Sequence, residues 1–153
     1  MYRQILEGID YLHTHSVCHR DIKPSNILMT KDRSRISLVD FNVAKQVRDG
    51  ENFVLFTKSA GSMAFAAPER LKDNLVYDEK VDLWAAGIVL FMLLVGHHPF
   101  DGEGSISKLV EQIMEGETII GNEIDQRSEI SAEVKDLVKC LTRNDPLKRY
   151  SAK

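Results

Sequence analysis

Residues 19–26 of this 153-residue chain read His19-Arg20-Asp21-Ile22-Lys23-Pro24-Ser25-Asn26. A carboxylate, an ammonium group and a side-chain amide therefore fall within one short segment. Asp21 can accept a proton from a hydroxyl group, and Lys23 can neutralise negative charge that builds up on a reacting group. The amide oxygen of Asn26 is a ligand that suits Mg²⁺. Transfer of a phosphoryl group requires these three functions, whereas the alternative interpretation is an ordinary polar turn held by Pro24.

The composition is that of a folded domain without a strong charge bias. With 153 residues, 43% of them hydrophobic, the chain is long enough for one globular domain with a substantial core. Its formal net charge is -3, and the lysines and arginines are scattered among acidic residues, so we expect no nucleic-acid partner and no membrane partner. The apolar run at 83–95 spans roughly 13 residues and predicts a buried helix rather than a membrane span.

The cysteine and histidine content favours neither a disulfide framework nor a metal centre. Two cysteines, Cys18 and Cys140, are too few for a disulfide-stabilised fold. His13 and His15 flank a predicted helix end, so a zinc cluster with Cys18 and His19 is disfavoured. Because the chain shows neither an apolar signal segment nor a lipidation or retrieval signal, we expect an intracellular protein. The expected location is the cytoplasm, with the nucleus as the alternative.

Hydrophobic periodicity predicts helices at both ends of the chain and a hairpin between them. Ile5, Ile9 and Leu12 recur on one helical face, so the chain is expected to begin inside a helix. Two short extended runs, 27–29 and 36–39, are separated by polar residues and predict a β-hairpin. Between 42 and 65 the sequence shows little periodicity and predicts a long irregular loop.

The second half of the chain is predicted to be helical. Apolar residues at 106, 109, 110, 113 and 114 follow the spacing of an amphipathic helix, and those at 134, 137, 138 and 141 repeat it. Ser131 is the predicted N-cap of the later helix, and Pro146 is predicted to close that helical region. The predicted fold class is therefore mainly α with one small β-hairpin.

Five further motifs follow residues 19–26 along the chain. Asp40-Phe41-Asn42 comes directly after the second predicted strand, and Gly61-Ser62 precedes Ala67-Pro68-Glu69. The segment 82–87 reads Asp-Leu-Trp-Ala-Ala-Gly, and Arg149 closes an Asp-Pro-Leu-Lys-Arg segment. Together these motifs resemble the eukaryotic protein kinases, and the resemblance covers essentially all 153 residues. The resemblance implies the C-terminal, larger lobe of the kinase fold.

The resemblance also implies roles for individual residues. Asp21 and Lys23 would be catalytic, while Lys23, Asn26 and Asp40 would bind the cofactors ATP and Mg²⁺. Asn26 and Asp40 would be the metal ligands. Ser62 would lie in the loop that faces the substrate hydroxyl. The structural positions of the family's pattern are His19, Arg20, Phe41, Glu69, Asp82 and Arg149, with Glu69 paired to Arg149 and Asp82 bracing the catalytic loop.

The placement of Lys23 two residues after Asp21 resembles the serine/threonine branch of the family. Protein substrates with Ser or Thr are therefore implied as partners. The sequence around Pro99 and Phe100 is similar to that of the calmodulin-dependent kinases. Arg20 before Asp21 implies regulation by phosphorylation of the activation loop, with Thr57 and Ser59 as candidates and an upstream activating kinase as a second partner.

The sequence departs from the family's pattern in two respects. Asn42 stands where the metal-binding motif carries glycine, and asparagine tolerates the left-handed backbone conformation that glycine favours. No Gly-x-Gly-x-x-Gly lid and no Val-Ala-x-Lys strand occurs in these residues. We therefore expect 1–153 to be a partial kinase domain without its N-terminal lobe, nearly inactive alone and derived from a longer kinase. The alternative is a pseudokinase-type binding or scaffold module.

Overall fold

The computed structural model describes residues 2–49, 52–53, 62–72 and 77–152. Six α-helices occur in this part of the chain. They are α1 (Tyr2–Thr14), α2 (Pro68–Leu71), α3 (Lys80–Val95), α4 (Ile106–Met114), α5 (Gly116–Asp125) and α6 (Ala132–Leu141). The six strands are β1 (Val17–Cys18), β2 (Ile27–Met29), β3 (Ile36–Leu38), β4 (Lys45–Gln46), β5 (Arg48–Asp49) and β6 (Asn52–Phe53). The predicted fold class, mainly α with a small hairpin, is confirmed.

Helix α3 runs through the centre of the hydrophobic core. Every residue from Val81 to Phe91 is buried, which is why this segment is apolar on all sides. The helix ends at Gly96, whose φ of 93° lies in the left-handed region that glycine adopts without steric cost. Among the described residues, no helix is long and apolar enough to span a membrane.

The strands form three separate antiparallel pairs, and two of them position the loop at 19–26. Strand β1 pairs with β4, and β2 pairs with β3 in the hairpin that the sequence predicted. The loop at 19–26 connects β1 to β2, while residues 39–44 connect β3 to β4. Because both connections lie between the same two strand pairs, residues 39–44 lie alongside the loop. A hydrogen bond from Val39 N to Asn26 O, 3.0 Å long, fixes this arrangement.

Three expectations about secondary structure were incomplete or wrong. The segment 42–65 is not wholly irregular, because β4, β5 and β6 fall within it. Helix α5 was not predicted, although its Ile120 and Ile124 are buried on one face. Helix α6 ends at Leu141, well before Pro146, and Ser131 occupies its N-cap position without a capping side-chain hydrogen bond. Pro146 therefore does not end α6.

A close approach between α3 and α6 requires glycine at position 87. A Cβ atom there would lie 2.6 Å from Thr142 Cγ2 and 2.9 Å from Leu141 Cβ. We expect Gly87→Ala to lower the free energy of unfolding by about 1 to 3 kcal/mol through overpacking, despite the better helix propensity of alanine. Urea unfolding of the purified variants measures this change.

The matched control for that experiment is Gly121→Ala in α5. A Cβ atom at position 121 would meet nothing within 4 Å. Alanine should therefore stabilise the chain there by about 0.5 to 1 kcal/mol, the ordinary gain from replacing a helical glycine. If both variants were stabilised to the same extent, the close packing of α3 against α6 would be contradicted.

Candidate active site

The loop at 19–26 is anchored to α3 by the carboxylate of Asp82. Asp82 Oδ2 accepts a hydrogen bond from His19 N and Oδ1 accepts one from Arg20 N, both at 2.8 Å. The Nε2 atom of His13 lies 3.0 Å from Oδ2. The Asp82 side chain is buried, with 1% exposure, so its charge is compensated by these three partners. Arg20 adopts a φ of 66°, a left-handed conformation held by this anchoring.

Asp21 lies in this anchored loop with both carboxylate oxygens hydrogen-bonded. Its Oδ1 accepts from Ser62 N at 2.8 Å, and its Oδ2 accepts from Asn26 Nδ2 at 3.0 Å. Lys23 Nζ is 2.7 Å from Oδ2 and also donates to Ser62 Oγ at 2.9 Å. The structure therefore brings together the proton acceptor, the cation and the serine that the sequence predicted separately.

The protonation state of Asp21 follows from these contacts. Burial acts to raise the pKa of the Asp21 carboxyl, but the hydrogen bonds from Lys23 and from the Ser62 backbone outweigh it and lower the pKa. Asp21 is therefore a carboxylate at neutral pH. A carboxylate with this charge state can accept the proton of a substrate hydroxyl.

Asn26 and Asp40, the two predicted metal ligands, lie in adjoining segments of the backbone. Asn26 uses its amide nitrogen to bond Asp21, which leaves its Oδ1 without a hydrogen bond in the described part of the chain. Asp40 follows Val39, whose backbone bonds Asn26, and its carboxylate is exposed. Two hard oxygen donors with free lone pairs fit the ligand preference of Mg²⁺.

The backbone around Asp40 differs from the expectation based on Asn42. Asp40 itself has a positive φ of 67°, whereas Asn42 does not appear in the left-handed region. The residue that carries the unusual conformation is thus the expected metal ligand, not its neighbour. Asparagine at position 42 therefore meets no left-handed requirement in this structure, and its backbone N–H donates to Asp40 Oδ1 at 3.4 Å.

His19 and Phe41 link the loop at 19–26 to the segment that carries Asp40. His19 is fully buried, and its Nε2 atom lies 3.1 Å from Val39 O. The Phe41 ring packs on the His19 ring with centroids 4.8 Å apart, although 47% of Phe41 is exposed. These contacts hold residues 39–41 against the loop.

Sequence analysis did not single out Leu28, an apolar residue next to these polar groups. Leu28 pairs with Ser37 across the hairpin and points to the face opposite Ile27 and Met29. More than half of its side chain, 55%, is exposed. Its position two residues after Asn26 in a strand was the available signal, because strand alternation places it on the other face from Ile27 and Met29.

The predicted regulatory residues are only partly within the described structure. Arg20 is buried, and its Nε atom donates to Val43 O at 2.6 Å while its Nη1 atom lies 3.4 Å from the Tyr77 hydroxyl. Thr57 and Ser59 lie outside the described residues. Their predicted relationship with Arg20 stays a prediction.

Glu69 and Arg149 form the buried ion pair that the resemblance implies. Arg149 Nη1 donates to Glu69 Oε1 at 2.6 Å, and Nη2 donates to Oε2 at 2.9 Å, a two-pronged geometry. The guanidinium also donates to the carbonyls of Arg143 and Lys80, and it lies 5.3 Å from the Trp84 ring centroid. This pair joins α2, which follows Ser62 in the chain, to the segment after α6.

Comparison with known families agrees with the geometry of the site. A family model described as the protein kinase domain matches residues 1–153. The chain belongs to the protein kinase family.

Several curated kinases are similar to this kinase domain over most of its length. A probable myosin light chain kinase of Dictyostelium discoideum is 37% identical over 151 residues, which cover 99% of this chain and 30% of that relative. Sperm motility kinase 2B of Mus musculus is 35% identical, covering 95% of this chain and 28% of the relative. The probable serine/threonine-protein kinase HSL1 of Saccharomyces cerevisiae is 35% identical, covering 98% and 9%. The chain spans less than a third of the length of each.

One structural residue of this kinase domain, His13, was missed by sequence analysis. It was interpreted as part of a helix end, yet it contacts the buried carboxylate of Asp82. The signal was present, because His13 follows Ile9 by four residues and Ile5 by eight, on the buried face of α1. Within the described ranges, no three histidine, cysteine, aspartate or glutamate side chains converge on a possible metal site.

Proposed function

We propose that this chain carries the phosphotransfer centre of a serine/threonine protein kinase, which moves the γ-phosphate of ATP to a protein hydroxyl. The observation that carries the proposal is the arrangement around Asp21. Its carboxylate contacts Lys23 Nζ, Asn26 Nδ2 and Ser62 N within 3.0 Å. A base, a cation and an amide are thus positioned by the protein before any substrate arrives, which is how positioning and electrostatics accelerate phosphoryl transfer.

Each residue then has one task in the proposed reaction. Asp21 accepts the proton of the attacking hydroxyl, and its lowered pKa keeps it ready to do so. Lys23 holds its positive charge beside Asp21, where negative charge develops on the transferred group. Asn26 and Asp40 would hold Mg²⁺ through their oxygen atoms. When bound, MgATP supplies the phosphoryl group and the metal's neutralising charge.

The choice of serine or threonine substrates is supported by the sequence and by the relatives. Lys23 follows Asp21 at the spacing seen in the serine/threonine branch, and one relative is named a serine/threonine-protein kinase. Ser62 borders the position of the hydroxyl through its bonds to Asp21 and Lys23. An upstream kinase acting on Thr57 or Ser59 would be a further partner of the proposed enzyme.

We expect the 153 residues alone to be nearly inactive as a kinase. These residues contain no glycine-rich lid and no strand lysine for the α- and β-phosphates. ATP would therefore be held by one side of its cleft only. The measurement is transfer of labelled phosphate from MgATP to a mixture of serine and threonine peptides, and transfer above the level of heat-denatured chain would contradict the expectation.

A chimaera tests the proposed chemistry itself. The small lobe of the Dictyostelium relative, joined ahead of these residues, would supply the lid and the lysine. We expect peptide phosphorylation that depends on MgATP and falls at least about 100-fold on Asp21→Asn, the usual contribution of a positioned base. The control is Asp136→Asn, which removes a carboxylate from the exposed face of α6 and should leave the rate unchanged.

The second candidate function is a pseudokinase-type binding module, and it rests on Asn42, which stands where the metal-binding motif of the family carries glycine. It predicts a chimaera that folds and binds nucleotide yet transfers no phosphate. Cooperative thermal unfolding of the chimaera, together with a shift of its midpoint by MgATP, shows that it has folded. A folded chimaera without transfer would therefore overturn the catalytic proposal and favour the binding module.

A further inference from the structure

The backbone of Arg20 adopts an unusual conformation immediately before Asp21. Its φ of 66° lies in the left-handed region, which residues other than glycine enter at a steric cost. Such a conformation persists where surrounding contacts fix it. Arg20 N donates to Asp82 Oδ1, and Arg20 Nε donates to Val43 O. These two contacts hold the amide and the side chain of Arg20, and neither of them involves its carbonyl group, which belongs to the peptide bond with Asp21.

The carbonyl group of Arg20 is contacted by Arg70 from α2. Arg70 is half-buried, and its Nη1 atom donates to Arg20 O at 3.2 Å. A hydrogen bond from a charged guanidinium is stronger than one between neutral groups. The same guanidinium lies 5.8 Å from the centroid of the Tyr77 ring, and the Tyr77 hydroxyl lies 3.4 Å from Arg20 Nη1. Tyr77 therefore helps to orient both arginines.

Helix α2 is itself fixed in place by the residue before Arg70. Glu69 forms the buried ion pair with Arg149, which holds α2 against the segment after α6. The directed contacts of Arg70 within the described residues are with a carbonyl group and a ring, neither of which is a carboxylate. One short helix thus carries a buried structural pair and, on the next residue, a charged donor that reaches the loop at 19–26.

We propose that Arg70 is a positioning residue for Asp21, which it orients by holding the peptide bond between Arg20 and Asp21. Rotation of that peptide plane would turn the Asp21 carboxylate away from Ser62 N and Lys23 Nζ, which lie 2.8 and 2.7 Å from its oxygens. A misplacement of about 1 Å can cost about 100-fold in rate. An effect on the rate rests on the proposed phosphotransfer, whereas the orientation of Asp21 can be measured without it.

Hydrogen exchange in the 153-residue chain measures that orientation in the absence of nucleotide. Arg70→Met keeps a long apolar side chain and removes the donor to Arg20 O. The amides of Arg20 and Ser62, which are bonded to carboxylates of the site, should then exchange at least about tenfold faster. The amide of Thr142 is bonded to a carbonyl group of α6 and reports opening of the core. Its exchange should not change.

Two further variants separate loss of the donor from loss of an arginine. Arg127→Met removes an arginine from the segment after α5, where the guanidinium pairs with Glu123. Exchange at Arg20 and Ser62 should remain at the wild-type rate in this control. Arg70→Lys keeps a charged donor on a flexible stem, so it should return both exchange rates to within about threefold of wild type.

The chimaera with the small lobe of the Dictyostelium relative measures the consequence for catalysis. Arg70→Met should lower kcat at least about tenfold and leave KM for MgATP within about twofold, because the base rather than the nucleotide is misplaced. Arg127→Met should keep the wild-type kcat, and Arg70→Lys should recover most of it. Unfolding midpoints of the three variants check that each has folded.

Three results would overturn the positioning role of Arg70. They are unchanged exchange at Ser62 in Arg70→Met, an equal rise in exchange at Thr142, and an unchanged kcat of Arg70→Met in an active chimaera. The second of these would mean that Arg70 contributes to general stability only. A wild-type chimaera that folds and transfers no phosphate would instead overturn the proposed function, and exchange at Ser62 would still decide whether Arg70 orients Asp21.

Discussion

Asp82→Asn is expected to lower the free energy of unfolding by about 3 to 5 kcal/mol, because it replaces a buried carboxylate that three donors surround. In the native structure the two oxygens accept from His19 N and Arg20 N, and His13 Nε2 lies beside one of them. An amide can accept on one atom only and turns an NH₂ group toward another donor. Urea unfolding measures this loss of stability. The substitution should also loosen the loop at 19–26, because Asp82 anchors it.

The pH dependence of that loss follows from the pKa of Asp82. Burial acts to raise the pKa of this carboxyl, but the contacts from His13, His19 and Arg20 outweigh it and lower the pKa. The Asp82 carboxylate therefore stabilises the folded state fully above the pKa of the unfolded chain, about 3.9. This stabilisation is lost as the pH falls from that value through the lower pKa of the folded state. The stability difference between wild type and Asp82→Asn should narrow below about pH 4.

Asp136→Asn is the control for Asp82→Asn. Asp136 is exposed on α6, so its replacement should change stability by no more than about 0.5 kcal/mol. If Asp82→Asn cost as little as this control, the carboxylate would not be the anchor of residues 19–20. Protection of the His19 and Arg20 amides from hydrogen exchange gives an independent readout of the same anchor.

Arg149→Leu is expected to destabilise the chain by about 3 to 5 kcal/mol, since it leaves the Glu69 carboxylate buried without its partner. Arg149 is 2% exposed and Glu69 is 6% exposed. The two hydrogen bonds between them, at 2.6 and 2.9 Å, have no solvent to replace them. Thermal or urea unfolding of the single variant measures the cost.

A double-mutant cycle separates the ion pair from the other contacts of Arg149. Adding Glu69→Met to Arg149→Leu removes the stranded charge, so the double variant should be more stable than Arg149→Leu alone. The remaining loss would reflect the guanidinium's contacts with the carbonyls of Lys80 and Arg143 and with Trp84. Additive effects of the two substitutions would show that the charges do not interact.

Local sequence patterns predicted much of the helical fold. Helix α4 and the hairpin could be predicted from apolar spacing, because the apolar residues that define each element lie within that element. Helix α5 could not be predicted in the same way. Its Ile120 and Ile124 are buried by packing against distant elements, and its glycines at 116 and 121 weaken the local signal.

The candidate site shows the same division between near and distant residues. Asp21, Lys23 and Asn26 lie within six consecutive residues, so their proximity was evident from the chain alone. Ser62 reaches Asp21 through its backbone amide, which no side-chain pattern reveals. The left-handed backbone falls on Asp40 rather than Asn42, and the glycine position of the motif did not indicate this.

By itself the sequence determined the chemistry that this chain can present, because side-chain identities and their order along 19–26 require no fold to be recognised. Only the tertiary structure decided which residues hold those groups in place through hydrogen bonds and ion pairs. His13, His19 and Arg20 meet Asp82 across more than sixty residues, and Arg149 meets Glu69 across eighty. Such contacts depend on how helices pack around α3, and packing is a property of the whole core rather than of any local segment.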